Sequence, residues 1–411
     1  MKNAPRLSKC IMASAAALLT TGLLSGCGYI GSSAAAATQP ARSTHVRSGR
    51  LVTAFRKISP VHVLPRSLVS AYQNSPIPIT QSAYAHWKAE KGPYVVGFAN
   101  SNMGNTWRAQ SLADLKREFN LLKRKGIVSK LIVANANNDV TTQISQIQDM
   151  IAEHVNLILI NAASETALNP VIEKAYKAGI VVVAFNNIVS SPYAENRDIN
   201  QARFGASLAQ GLVNILHGKG NIVMVEGIPG AAGSTIRENA ALAVFRKYPN
   251  IHIIANVSGD WTETGAKTAM LQVLATHPEP INGVWGQGGM TIGIAQALQQ
   301  AGRPLVPITV TGMNNGIDFW HSHIKDGYKT VGTMDPPVGS AVALRVGVRI
   351  LEGQHPKLNA IFNNPPVYTN STLNRYYNPK ANPDGWVDPP VYQYVPSKVL
   401  NEYFVNGKPI L

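Results

Sequence analysis

From Pro93 onward the chain alternates short apolar runs with amphipathic stretches, and nothing else in it restricts the fold so tightly. An apolar run at 94–99 is followed by polar 100–106. A helical pattern then places Leu112, Leu115, Phe119 and Leu122 on one face and stops at Gly126. The same reading predicts strand 130–134, helix 141–154, strand 156–161, helix 168–178 and strand 180–185. A second set follows: helix 202–217, strand 221–226, helix 235–247, strand 252–257, helix 264–276, strand 283–286 and helix 291–301. Strands at 308–311 and 330–333 precede a helix at 338–352. Strands near six residues alternating with helices imply right-handed βαβ units and parallel sheets. There are too many for one small sheet. The expected fold class is α/β, with two doubly wound parallel-sheet lobes: 93–199 plus 336–354, and 200–335.

The N-terminus carries the most specific local signal. Lys2, Arg6 and Lys9 lead into the apolar stretch 11–24, too short to span a bilayer comfortably, which ends in Leu24-Ser25-Gly26-Cys27. That junction resembles the bacterial lipobox, so 1–26 is expected to be a lipoprotein signal peptide and Cys27 the lipidated residue. Acyl chains there would anchor the protein to the outer face of a membrane without a transmembrane helix. The only other cysteine, Cys10, lies in the segment expected to be removed. Cysteine catalysis, disulfides and thiolate metal sites are thereby excluded. Residues 27–92 lack sustained periodicity and read as a tether, with a short helix near 81–90. The Pro- and Tyr-rich tail 355–411 is expected to pack on the lobes.

The formal charge of +15 reflects scarce acids (22) as much as plentiful bases (37). No basic run or recognition motif accompanies it, so nucleic acid is not an expected partner.

In open parallel sheets, ligands sit beyond the carboxyl ends of the strands. The residues found there are Asn105, Trp107 and Arg108; Asn186 and Asn187; the glycine-rich 227–233 followed by Arg237; Trp261; Gln287; Asn314; and Asp335. Amides and guanidinium groups pair with vicinal hydroxyls, and an aromatic face covers a sugar's C–H face. The set suits a polyhydroxylated small molecule. No catalytic residue, cofactor or metal is expected.

The stretches Gly97-Phe98, Gly104-Asn105-Thr106-Trp107-Arg108-Ala109-Gln110, Ala167-Leu168-Asn169-Pro170, Ala178-Gly179-Ile180 and Gly218-Lys219-Gly220-Asn221 resemble the type I periplasmic binding proteins, in their ribose- and galactofuranose-binding branch. The resemblance spans about 93–353. It implies lobes joined by a three-crossing hinge that close over a sugar, with ligand contacts at Trp107, Arg108 and Arg237 and an aromatic contact near Trp261. It also implies an ABC permease and ATPase as partners and a monomeric, extracytoplasmic protein. Asn186-Asn187, Gly288-Gly289 and Asn314 depart from the acidic or amide residues usual at those places. Two ligand classes therefore stay open, a neutral sugar and a sugar acid received by Arg108 and Arg237. Truncating either arginine is expected to leave stability nearly intact.

An enzyme is the first rival reading, but Gly-x-Gly-x-x-Gly does not follow the first strand, and neither a nucleophile elbow nor His-Glu-x-x-His occurs. A repressor core would need a DNA-binding helix pair where the lipobox stands. A receptor presenting ligand to a chemoreceptor or sensor kinase would share every feature above.

Overall fold

The computed structural model describes residues 55–411, so Cys27 and the lipobox lie outside the described residues. The first lobe is a six-stranded, all-parallel sheet. Its elements are β1 (Tyr94–Asn100), β2 (Val128–Asn135), β3 (Leu157–Asn161), β4 (Val181–Phe185), β5 (Glu195–Ile199) and β10 (Ala360–Asn363), in the order β10-β5-β4-β3-β1-β2. Alternation along the strands explains the two layers of helices. Phe98 of β1 and Leu157 and Leu159 of β3 face one core with Leu115 and Phe119 of α2 (Thr106–Arg124) and Leu344 of α10 (Gly339–Leu351). Ala99, Ile158 and Ile160 face the other with Ile147 of α3 (Val140–Ala152) and Ile172 of α4 (Asn169–Lys177). A strand apolar on both faces must be covered on both.

The second lobe repeats the plan. β6 (Lys219–Glu226) lies between β7 (Asn250–Ser258) and β8 (Gly283–Gly286), all parallel. α5 (Gln201–Ile215) and α6 (Ala232–Phe245) cover one face, α7 (Glu263–Thr276) and α8 (Thr291–Gln300) the other. Residues 308–311 form no continuous strand. Single bridges from Ile308 to Val284 and from Val310 to Gly332 carry the sheet on to β9 (Val331–Thr333) and antiparallel β11 (Val367–Thr369), with α9 (Asn314–His323) alongside.

The chain passes between lobes after β5, after β9 and between β10 and β11. The tail thus supplies one strand to each sheet. Beyond β11 it first packs on the second lobe through Leu373, Tyr376 and Val387, then returns to the first through Val395, Leu400, Tyr403 and Phe404. This adds a fourth passage to the three.

Two expectations are corrected. Residues 55–92 are not a tether: Leu64, Ala71, Tyr72, Ile77 and Tyr84 are buried in the first lobe's core. The Tyr72 hydroxyl donates to the Ala360 carbonyl at 2.7 Å, and the Tyr84 hydroxyl accepts from the Val182 amide at 2.8 Å. Stretch 81–90 is turn and extended chain, not helix. Its short span and the proline-interrupted chain before it hide apolar anchors that have no regular period. β5 was also missed, because Glu195, Asn196, Arg197 and Asp198 are polar yet fully buried. They are held by hydrogen bonds instead of apolar contact, Ser82 donating to Glu195 at 2.8 Å and Arg197 to Asn363 at 2.8 Å.

Candidate functional site

Nine of the ten residues read from the strand ends, all except Asn314, line one cleft at the carboxyl ends of the two sheets.

Asn105 caps α2, its side-chain oxygen accepting from the Arg108 amide at 3.0 Å. The cap fixes the first turn of α2 and so aims Trp107 and Arg108 into the cleft. Trp107 is 8% exposed and donates its Nε1–H to the Asp335 carbonyl at 2.6 Å, tying the first lobe to the crossing after β9.

Asp335 is the hub of the site. Its Oδ2 accepts from Asn186 at 2.7 Å, Gln201 at 3.0 Å and Arg237 at 3.1 Å. Asn186 reaches it from the first lobe on a left-handed backbone (φ 61°), a conformation asparagine tolerates better than most residues. Arg237 further donates to Gln201 at 2.7 Å and to the Gln287 carbonyl at 2.9 Å, and lies 3.9 Å from the Phe204 ring centroid. Burial lowers its pKa; Asp335 and Asp198 oppose that.

Arg108 is different. It is 4% exposed, forms no ion pair among the described residues, and reaches only the Asn100 side chain, at 3.4 Å. Burial alone pulls its pKa down to about 10, which leaves it charged at neutral pH.

Asn187 donates to Asn161 at 3.1 Å and accepts from the Gly233 amide across the cleft at 3.3 Å. Asp260 and Trp261 both take positive φ (53° and 54°), which swings the Trp261 indole beneath the cleft. The indole lies so close to Gly227 and Gly288 that a Cβ on either would stand 2.1 or 2.4 Å from the ring. The departure at Gly288 is therefore steric: a side chain there would displace Trp261.

Three buried polar atoms of the cleft residues have no hydrogen-bond partner, namely Trp261 Nε1, Gln287 Oε1 and Thr311 Oγ1. Buried groups are normally paired, so these three are exceptions among the cleft residues.

Asn314 is a correction. It does not line the cleft; its side chain donates to the Asn382 carbonyl at 2.8 Å and its amide to the Gly385 carbonyl at 2.9 Å. A carboxylate could not make that side-chain donation, which explains the amide. Sequence reasoning also missed Phe204, Thr311 and Trp386. Thr311 ends a predicted strand and was within reach of the same rule. Phe204 reads as ordinary helix core, and Trp386 lies in the aperiodic tail.

Residues 96–355 match the periplasmic binding protein domain family. A xylitol-binding protein of Mycolicibacterium smegmatis is 30% identical over 243 residues, 58% of this chain and 68% of its own length. A ribose import binding protein of Bacillus subtilis is 24% identical over 229 residues, 55% of this chain and 72% of its own. Among solved structures, an ABC transporter solute binding protein from Thermobispora bispora superposes with a TM-score of 0.68 at 25% identity, covering 77% of this chain and 98% of its own. These relatives are binding proteins, not enzymes. Among the described residues, no helix is long and apolar enough to cross a membrane.

Proposed function

The chain belongs to the periplasmic binding protein family, and on that premise we propose that it captures a sugar or polyol outside the cytoplasm for an ABC importer. Its lobes close over the ligand, and the loaded protein delivers it to the permease and ATPase. The observation that carries this reading is one cleft lined by Arg108, Asn187, Gln287 and Thr311 together with Trp107 and Trp261. Such a lining offers donors, acceptors and aromatic faces together, the combination a polyhydroxylated molecule needs. The relatives named for xylitol and ribose support the class.

The test is a thermal-shift screen over pentitols, aldoses and aldonic acids. A ligand at a hundredfold excess over its Kd should stabilise the protein by about 2.7 kcal/mol. A flat response across all three classes would remove the proposal's basis.

A sugar acid is the second reading, favoured by Arg108, which has no carboxylate partner among the described residues. Such a ligand would bind more weakly as salt is raised.

Cys27 carries the lipid anchor in this proposal. The full-length chain should partition with membranes, and Cys27→Ala should release it. An unmodified N-terminal peptide in mass spectrometry would contradict the anchor.

A further inference from the structure

The tail segment 382–388 runs from one rim of the cleft to the other. On the second lobe it is held through main-chain atoms. The Asn382, Pro383 and Gly385 carbonyls accept from the Asn314 side chain at 2.8 Å, the Asn315 amide at 3.0 Å and the Asn314 amide at 2.9 Å, and the Val387 amide donates to the Gly312 carbonyl at 2.8 Å. On the first lobe it is held mostly through side chains. Gln110 accepts from the Trp386 amide at 3.0 Å and donates to the Trp386 carbonyl at 3.4 Å and to Asp388 at 3.1 Å; Thr106 accepts from the Trp386 indole at 3.0 Å; the Val338 amide donates to Asp388 at 3.0 Å. Between the two anchorages the Trp386 ring lines the cleft. Gly289 gives it room, since a Cβ there would lie 2.9 Å from the ring. Pro383 near one end and Pro389-Pro390 past the other fix the backbone φ at those positions.

We propose that residues 382–388 form a lid on the ligand cleft, with Trp386 a third aromatic wall against the ligand and the side-chain anchorage to α2 the contact that lets go when ligand enters or leaves. The proposal rests on reading the cleft as the sugar site. Separating the lobes must break one anchorage or the other. The first lobe's depends on two side chains, Gln110 and Thr106, for four of its five bonds, whereas the second lobe's has three main-chain pairs that position the strand register. Mobile side chains give way before a main-chain ladder does. Both lobes thus share one ligand-covering segment, and its undocking sets the exchange rate.

Stopped-flow tryptophan fluorescence with xylitol and D-ribose as probes tests this on three proteins. These are the wild type, the double variant Thr106→Val/Gln110→Ala, whose changes lie outside the cleft lining, and Trp386→Ala. The double variant should speed association and dissociation together, each about tenfold, with Kd held within about threefold. Trp386→Ala should speed dissociation and also weaken Kd by about tenfold, as loss of an aromatic wall does. Rate constants in the double variant within about twofold of wild type would overturn the lid. If neither probe binds the wild type, ligand choice is what has failed, and the lid is read by hydrogen exchange instead. The Trp386 and Val387 amides should then exchange faster in the double variant while α5 and α7 stay protected; unchanged protection at 382–388 would overturn it.

Discussion

Arg237→Ala is expected to lose both ligand binding and about 3–5 kcal/mol of stability, the scale seen when one partner of a buried ion pair is removed. Arg237 and Asp335 have side chains only 8% and 8% exposed, and removing the guanidinium leaves Asp335 Oδ2 with only the Asn186 and Gln201 amides. The guanidinium also supports the Gln201 side chain and the Gln287 carbonyl, so its loss loosens the floor on which Gln287 sits. Urea unfolding of variant and wild type measures the effect. This differs from the expectation drawn from the sequence, that truncation leaves the fold nearly intact, because the sequence places Arg237 at a strand end without revealing Asp335 as its partner. A variant as stable as wild type would mean that Asp335 finds other compensation.

Arg108→Ala should do the reverse. With no ion pair among the described residues to break and one long hydrogen bond to lose, truncating this buried side chain should cost about 1 kcal/mol of stability, well below the Arg237 loss. Affinity should fall by about 1.5–3 kcal/mol, or roughly 10- to 150-fold, the worth of hydrogen bonds from a charged donor. Calorimetric titration beside urea unfolding separates the two effects. A salt-dependent affinity that disappears in Arg108→Ala identifies an acidic ligand, since Arg237 already faces a carboxylate and Arg108 does not. A stability loss above about 2 kcal/mol with unchanged affinity would make Arg108 a structural residue.

Much of the fold was legible because parallel strands buried on two faces and amphipathic helices have distinct periods. Ile158 and Ile160 on one side of β3 and Leu157 and Leu159 on the other leave little choice of architecture. What escaped has no period. β5 buries charged and amide side chains, so hydropathy hides it. Tyr72 and Tyr84 anchor a segment that reads as linker because their contacts, at Ala360 and Val182, are distant in sequence. The site was legible to the same degree. Residues following a strand were found by rule, and nine of the ten line one cleft. The rule failed at Asn314, which follows a strand position but is taken up by the tail, and at Trp386, which belongs to no strand at all. Gly288 shows the same limit from another side. Its meaning is the space it leaves for an indole 27 residues earlier in the chain, and only the folded contact displays that.

Isothermal titration of the protein with xylitol, D-ribose and an aldonic acid, run in parallel on Arg108→Ala, tests the central claim most directly. The account predicts one-to-one binding of at least one of these to the wild type, weakened at least about tenfold in the variant. Equal affinity in both proteins, or no heat from any of the three, would contradict a polyol site built around Arg108.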